Sequence, residues 1–225
     1  MIEVVPAIIP DTYEDITAKA GLVRSSVSRV QLDVADGTYA PSKTWPYNGD
    51  DGHMQRLASE DEGLPLWDEI NYEVDLLIDE PEKEIDTWIR VGVAAAVVHI
   101  ESTKAHGDIF KKLKDADIEV GWAITPSTPN EVLFSILEAH GVPDFVQCMG
   151  SDDIGYHGVS LDERVYEKIE EIRARYPELP IAVDIGVSEE TAPQLVDAGA
   201  TKLVSGSAIF GSENIKATIE RLKNL

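Results

Sequence analysis

The chain has 225 residues, 43% of them hydrophobic and 27% charged, which is a globular composition with enough material for a large core and excludes a disordered protein. Nineteen Lys and Arg against 42 Asp and Glu leave a net charge of −23, a field that repels nucleic acid and anionic lipid, so neither is expected as a partner. No apolar run reaches the ~18 residues of a membrane span. The N-terminal run Met1-Ile2-Glu3 lacks a basic region, and the single cysteine, Cys148, rules out an internal disulfide; together these predict a cytoplasmic protein without membrane contact.

Short β-branched apolar runs alternate along the chain with helical patterns. Strands are expected at Glu3–Ile8, Arg29–Val34, Tyr72–Ile78, Ala95–Ile100, Glu119–Ile124, Asp144–Met149, Ile181–Asp184 and Lys202–Ser205. Helices are expected around 11–24, 81–91, 104–116, 129–140, 162–176, 188–198 and 212–223. Pro129 suits a helix start, Ser188 offers a capping oxygen, and Gly92, Gly141 and Gly199 fall where helices should stop. The stretch 36–65 is long, rich in Gly, Pro, Tyr and Trp, and carries at most a short helix at 53–60. It reads as a lid or contact surface, with Tyr39, Trp45 and Tyr47 as its aromatic points.

Eight strands alternating with helices predict an α/β fold, a single (β/α)8 TIM barrel domain over 1–225. The competing doubly wound sheet would carry a glycine-rich first turn; Ile9-Pro10-Asp11-Thr12 has no glycine, so a dinucleotide fingerprint is absent.

Barrel active groups sit at the C-terminal ends of strands, so polar residues in apolar strands mark the site. Alternation along Val30-Gln31-Leu32-Asp33-Val34 turns Gln31 and Asp33 inward. The same pattern turns Glu73, Asp75 and Leu77 inward, puts His99 on one face with Val97 and Glu101, and leaves Asp184 at the lip of its strand. A buried carboxylate must be paired, hydrogen-bonded, metal-bound or protonated. Three converging on one barrel mouth point to a site more than to packing. Two carboxylates across a pocket suit proton transfer at a carbon beside a carbonyl, through an enediolate. Gly206-Ser207 after the last strand and Gly186 after the seventh offer backbone N–H groups for a phosphate. Cys148 reads as a buried small hydrophobe and His157 as an exposed loop histidine with a ligand contact as the alternative.

At these residues the chain resembles the ribulose-phosphate 3-epimerases, over about residues 4–215. The matching stretches include Val5-Pro6-Ala7-Ile8-Ile9, Leu32-Asp33-Val34-Ala35-Asp36-Gly37, Val74-Asp75-Leu76-Leu77-Ile78, His99 with Glu101, Pro126-Ser127-Thr128-Pro129, Val183-Asp184-Ile185-Gly186-Val187 and Gly206-Ser207-Ala208-Ile209-Phe210. The resemblance implies a ribulose-phosphate-binding barrel acting as an isomerase on a small-molecule sugar phosphate. It implies Asp33 and Asp184 as acid and base on the two faces of carbon 3, and a homo-oligomer. It also implies a divalent metal, usually zinc, held by those aspartates and two histidines.

The departures fall on that metal site. Gln31 and Asp75 stand where the family has its histidines, Ala7 replaces a substrate-contacting serine, and Ala35 and Leu77 replace two methionines. The metal set therefore becomes Gln31, Asp33, Asp75 and Asp184, all oxygen donors that suit magnesium, manganese or calcium better than zinc; a metal-free site stays open, with His99 or Lys43 as compensating cation. The glycine loop is rebuilt as Gly150–Gly158, leaving Gly155, Gly158, Gly186, Gly206 and Ser207 as substrate-binding candidates. The alternative is a diverged, non-catalytic phosphate-ligand-binding barrel with a degenerate metal site. A decarboxylase or hexulose-phosphate synthase would need a lysine two residues after Asp75, where Leu77 stands.

Overall fold

The computed structural model describes residues 2–225. Eight strands close into a barrel: β1 (Glu3–Ile8), β2 (Arg29–Ala35), β3 (Asn71–Leu77), β4 (Ala95–His99), β5 (Glu119–Ile124), β6 (Phe145–Met149), β7 (Ile181–Asp184) and β8 (Lys202–Ser205). Every neighbouring pair is parallel, and β8 returns to β1 with Pro6 opposite Ser205. This is the expected (β/α)8 barrel, with strand limits displaced by at most one residue from those read in the sequence.

The helices are α1 (Tyr13–Val23), α2 (His53–Ala58), α3 (Ile85–Val91), α4 (His106–Asp115), α5 (Asn130–His140), α6 (Arg164–Arg175), α7 (Ala192–Ala198), α8 (Ser207–Phe210) and α9 (Ile215–Lys223). At the start of α1, Thr12 and Asp15 form a capping box, worth about 1 kcal/mol. Gly92, Gly141 and Gly199 end α3, α5 and α7 as expected.

Two helix starts differ most from expectation, each by four residues. Pro81–Lys83 is a separate 3-10 turn ahead of α3. Ser188 caps a turn instead of a helix: its Oγ accepts from the N–H groups of Glu190 and Thr191, and α7 begins only at Ala192.

The apolar residues form two layers. Outward-facing side chains such as Leu32, Val74, Val98 and Trp122 pack the barrel against its helices. Inward-facing ones, including Val5, Ala95, Val97, Ala123 and Ala182, fill the barrel, mostly with small residues. That leaves room for polar side chains in the lumen. The bottom is closed by Lys202, whose ammonium bonds Glu73 and lies 4.0 Å from the Phe145 ring centroid, while Arg29 joins Glu73 to Glu119. The polar top is the mouth.

The long 36–65 segment corrects one expectation. Trp45 is buried against Tyr13 and Trp88, and Tyr47 is half-buried against the same core, so neither is a lid or contact residue. Tyr39 does reach the mouth, 5.2 Å from the His99 ring. Lys43 is exposed, with its stem lying over Gly37, and supplies no charge to the lumen.

Candidate active site

Asp33 on β2 and Asp75 on β3 are register partners, so their side chains leave adjacent strands at one level and on one face. Asp184 ends β7 opposite Met149. One carboxylate oxygen from each aspartate lies within 4.8 Å of the other two, and all three residues are buried. Thr44 holds the end of β2 in place: its hydroxyl donates to Asp33 O at 3.1 Å and accepts from Ala35 N at 2.9 Å.

Each carboxylate meets its own donors. The Gln31 Nε2 amide donates to Asp33 Oδ1 at 2.7 Å and to Asp184 Oδ2 at 3.2 Å, joining the two across the mouth. Ile185 N donates to Asp184 Oδ1 at 2.7 Å. Asp75 pairs with His99 Nε2 at 3.1 Å and accepts from Gln147 Nε2 at 3.0 Å. Gln147 was not singled out in the sequence, yet the same alternation that turns Gln31 inward applies to Phe145-Val146-Gln147-Cys148-Met149. Cys148 faces the other way and is fully buried; burial pushes its thiol up to about 12, consistent with a packing role.

The electrostatics sort the three acids and His99 into two pairs. Burial, then the charges of Asp184 and Asp75, holds the Asp33 carboxyl well above the usual range. Burial, then the Asp75 charge, pushes Asp184 up to about 7. Two adjacent buried carboxyls that each resist ionisation disfavour carrying two charges at once. For His99, burial disfavours the proton, but the Asp75 charge and hydrogen bond outweigh it and raise its affinity. Asp75 and His99 thus form a buried hydrogen-bonded pair, whereas Lys43 does not reach the lumen.

Asp33 and Asp184 open onto a cavity whose lining includes Gly155, Gly158, Gly186, Gly206 and Ser207, together with Ala7, Leu77 and His157. Every substrate-binding candidate therefore lies on one wall system with the two aspartates. The close fit has steric causes: a Cβ on Gly206 would stand 3.0 Å from Ala7 O, and one on Gly186 2.7 Å from Leu161 N. Ile185 adopts φ 75°, unusual for a β-branched residue and a strain of about 1–3 kcal/mol next to Asp184. Ile154 from the loop after β6 packs with Ala35, Ala40, Leu77 and Met149 over the barrel interior.

The donor set can be tested against a cation from its own atoms. Gln31 Oε1 is buried without a partner. Half a turn of the amide exchanges Nε2 for Oε1 and points an oxygen at Asp33 and Asp184, completing four oxygen donors with Asp75. That set fits a hard divalent ion; the nearby imidazole, His99, already serves Asp75.

Comparison with known proteins bears on the family and the fold. The chain matches the Ribulose-phosphate 3 epimerase family over residues 3–210. A ribulose-phosphate 3-epimerase of Schizosaccharomyces pombe is 26% identical over 223 residues, covering 99% of this chain and 92% of the relative. One of Aquifex aeolicus is 30% identical over 207 residues, covering 90% and 86%. The crystal structure of 3-hexulose-6-phosphate synthase from Salmonella typhimurium superposes with a TM-score of 0.74 at 14% identity, covering 99% of this chain and 97% of that one; at such identity the likeness concerns the fold alone.

Proposed function

This chain belongs to the ribulose-phosphate 3-epimerase family, and on that premise we propose that it is a sugar-phosphate epimerase that inverts a ketose phosphate at carbon 3, with Asp33 and Asp184 as the proton-exchanging pair. The observation that carries the reading is the joining of these two carboxyls by the Gln31 amide at a cavity lined by Gly186, Gly206 and Ser207.

The chemistry requires one proton between the two. The ionised carboxylate takes the proton from carbon 3; the C–H electron pair becomes the C2–C3 double bond, and the carbonyl π pair moves onto O2. The protonated partner then delivers its proton to carbon 3 from the opposite face, and the O2 electrons re-form the carbonyl. The pair ends with its proton moved from one aspartate to the other, so it is set for the reverse reaction. Burial and neighbouring carboxylate charge raise both proton affinities, that of Asp184 to about 7, as an acid–base pair requires. His99 and Gln147 hold Asp75 still, and Gln31 orients the pair.

Gln31, Asp33, Asp75 and Asp184 are the residues that would hold a divalent metal, magnesium or manganese in preference to zinc. When bound, such an ion supplies positive charge to the enediolate oxygens. Backbone N–H groups of Gly155, Gly158, Gly186, Gly206 and Ser207 would cradle the phosphate. A cytoplasmic homo-oligomer fits the single buried cysteine, the acidic surface and the exposed Trp67. Among the described residues no helix is long and apolar enough to cross a membrane.

The test is a screen of pentulose and hexulose phosphates, D-ribulose 5-phosphate first, with and without added Mg2+ or Mn2+, paired with elemental analysis of the purified protein. Formation of a carbon-3 epimer supports the reading. No epimer from any ketose phosphate in any metal condition contradicts it and leaves a phosphate-binding barrel.

A further inference from the structure

The loop after β6 brings an imidazole to the phosphate end of the cavity. Gly155 and Gly158, both in the left-handed region at φ 83° and 70°, bracket Tyr156 and His157. His157 lines the same cavity as Gly186, Gly206 and Ser207. Lys19 on α1 lies just outside the lining: its ammonium donates to Ile9 O at 3.3 Å, and Ile9 lines that cavity. The glycine and serine walls carry no side-chain charge, and the whole chain stands at −23. A dianion entering this mouth also faces Asp33 and Asp184. A cationic side chain at the cradle's edge is what the electrostatics require.

We propose that His157 is a phosphate-binding residue of this site, its imidazolium and the Lys19 ammonium closing the open side of the backbone cradle on a phosphate dianion. The inference rests on the reading of the substrate as a phosphorylated sugar and adds a pH-sensitive contact to it. His157 is exposed at the rim, as expected of a loop histidine; partial desolvation there and then Lys19 disfavour its proton, with the Asp11 carboxylate acting the other way. A bound dianion favours that proton. Binding therefore takes up a proton: anion affinity is greatest where free His157 is already charged and falls as pH rises through the value of the bound form.

The experiment titrates the whole protein with sulfate, whose charge is constant across the range, and with inorganic phosphate, reading the 15N-labelled His157 imidazole by NMR. Both anions should move the His157 titration to higher pH. Sulfate affinity should fall roughly tenfold between about pH 5.5 and 8.5. His157→Asn should be weak and His157→Arg, permanently charged, should bind more tightly, both with a shallower fall than wild type, the remainder coming from ionisation of Asp184 in the same cavity. Indistinguishable pH profiles for wild type and His157→Asn, or a His157 signal indifferent to both anions, would overturn the proposal. Turnover of D-ribulose 5-phosphate in parallel separates the two readings. Anion-linked titration without turnover sinks the epimerase assignment alone, whereas turnover with an unchanged KM in His157→Asn sinks the phosphate contact alone.

Discussion

Asp33 and Asp184 resist ionising because they are buried close to Asp75, so the burial on which the proposed proton transfer relies also weakens the fold. The sign follows from the raised value of Asp184, from 3.8 to about 7: its stability contribution is full below the lower figure and lost as pH climbs through the higher. In EDTA-treated protein, Asp184→Asn should therefore raise the melting temperature at about pH 8, by an amount worth on the order of a few kcal/mol, and change it little at about pH 4. Thermal scans at both pH values check this; a variant less stable than wild type at the higher pH contradicts it. Gln31, Asp33, Asp75 and Asp184 were legible in the sequence because a carboxyl or amide inside an apolar strand has one of two faces to take, and alternation says which. Gln147 obeys the same rule but passes for one polar residue in a buried run until Asp75 is seen to need a second donor. Lys43 was not legible at all, since no periodicity sets the direction of a loop side chain.

Among the elements, β1–β8 could be read closely because short β-branched runs bounded by helical patterns have few other uses. The 36–65 segment could not, because aromatic residues in a loop look alike whether they cover a site or fill a core; Trp45 does the second, packed between α1 and α3, tilted against Tyr13 and edge-on to Trp88. The loop after β6 covers the mouth instead, through Ile154. Its first residue shows how tightly it meets the neighbouring strand end: a Cβ on Gly150 would lie 2.0 Å from Ile185 O and 2.7 Å from Leu161 Cδ1. Gly150→Ala must push the backbone next to Asp184. We expect a loss of about 2–3 kcal/mol, measured by urea unfolding. Unchanged stability would mean that the two loops do not meet as described.

At the scale of the whole molecule, the barrel shields a compact set of buried ionisable groups from an acidic exterior. Lys202, Glu73 and Arg29 close the bottom, and the three aspartates line the top. With 42 acidic against 19 basic residues, surface repulsion should outweigh the ion pairs. Raising NaCl from about 10 mM to about 150 mM should then raise the melting temperature as the screening length shrinks to about 8 Å; a fall would show that the surface pairs dominate. The central claim, two acids serving opposite faces of one carbon, is tested most directly in D2O by following the carbon-3 proton of each pentulose 5-phosphate epimer with Asp33→Asn and Asp184→Asn. Each variant should lose epimerisation by roughly 10²–10⁴-fold, and any residual deuterium exchange should be confined to one epimer, opposite for the two variants. Epimerisation at the wild-type rate in either variant, or exchange of the same epimer by both, would contradict the account.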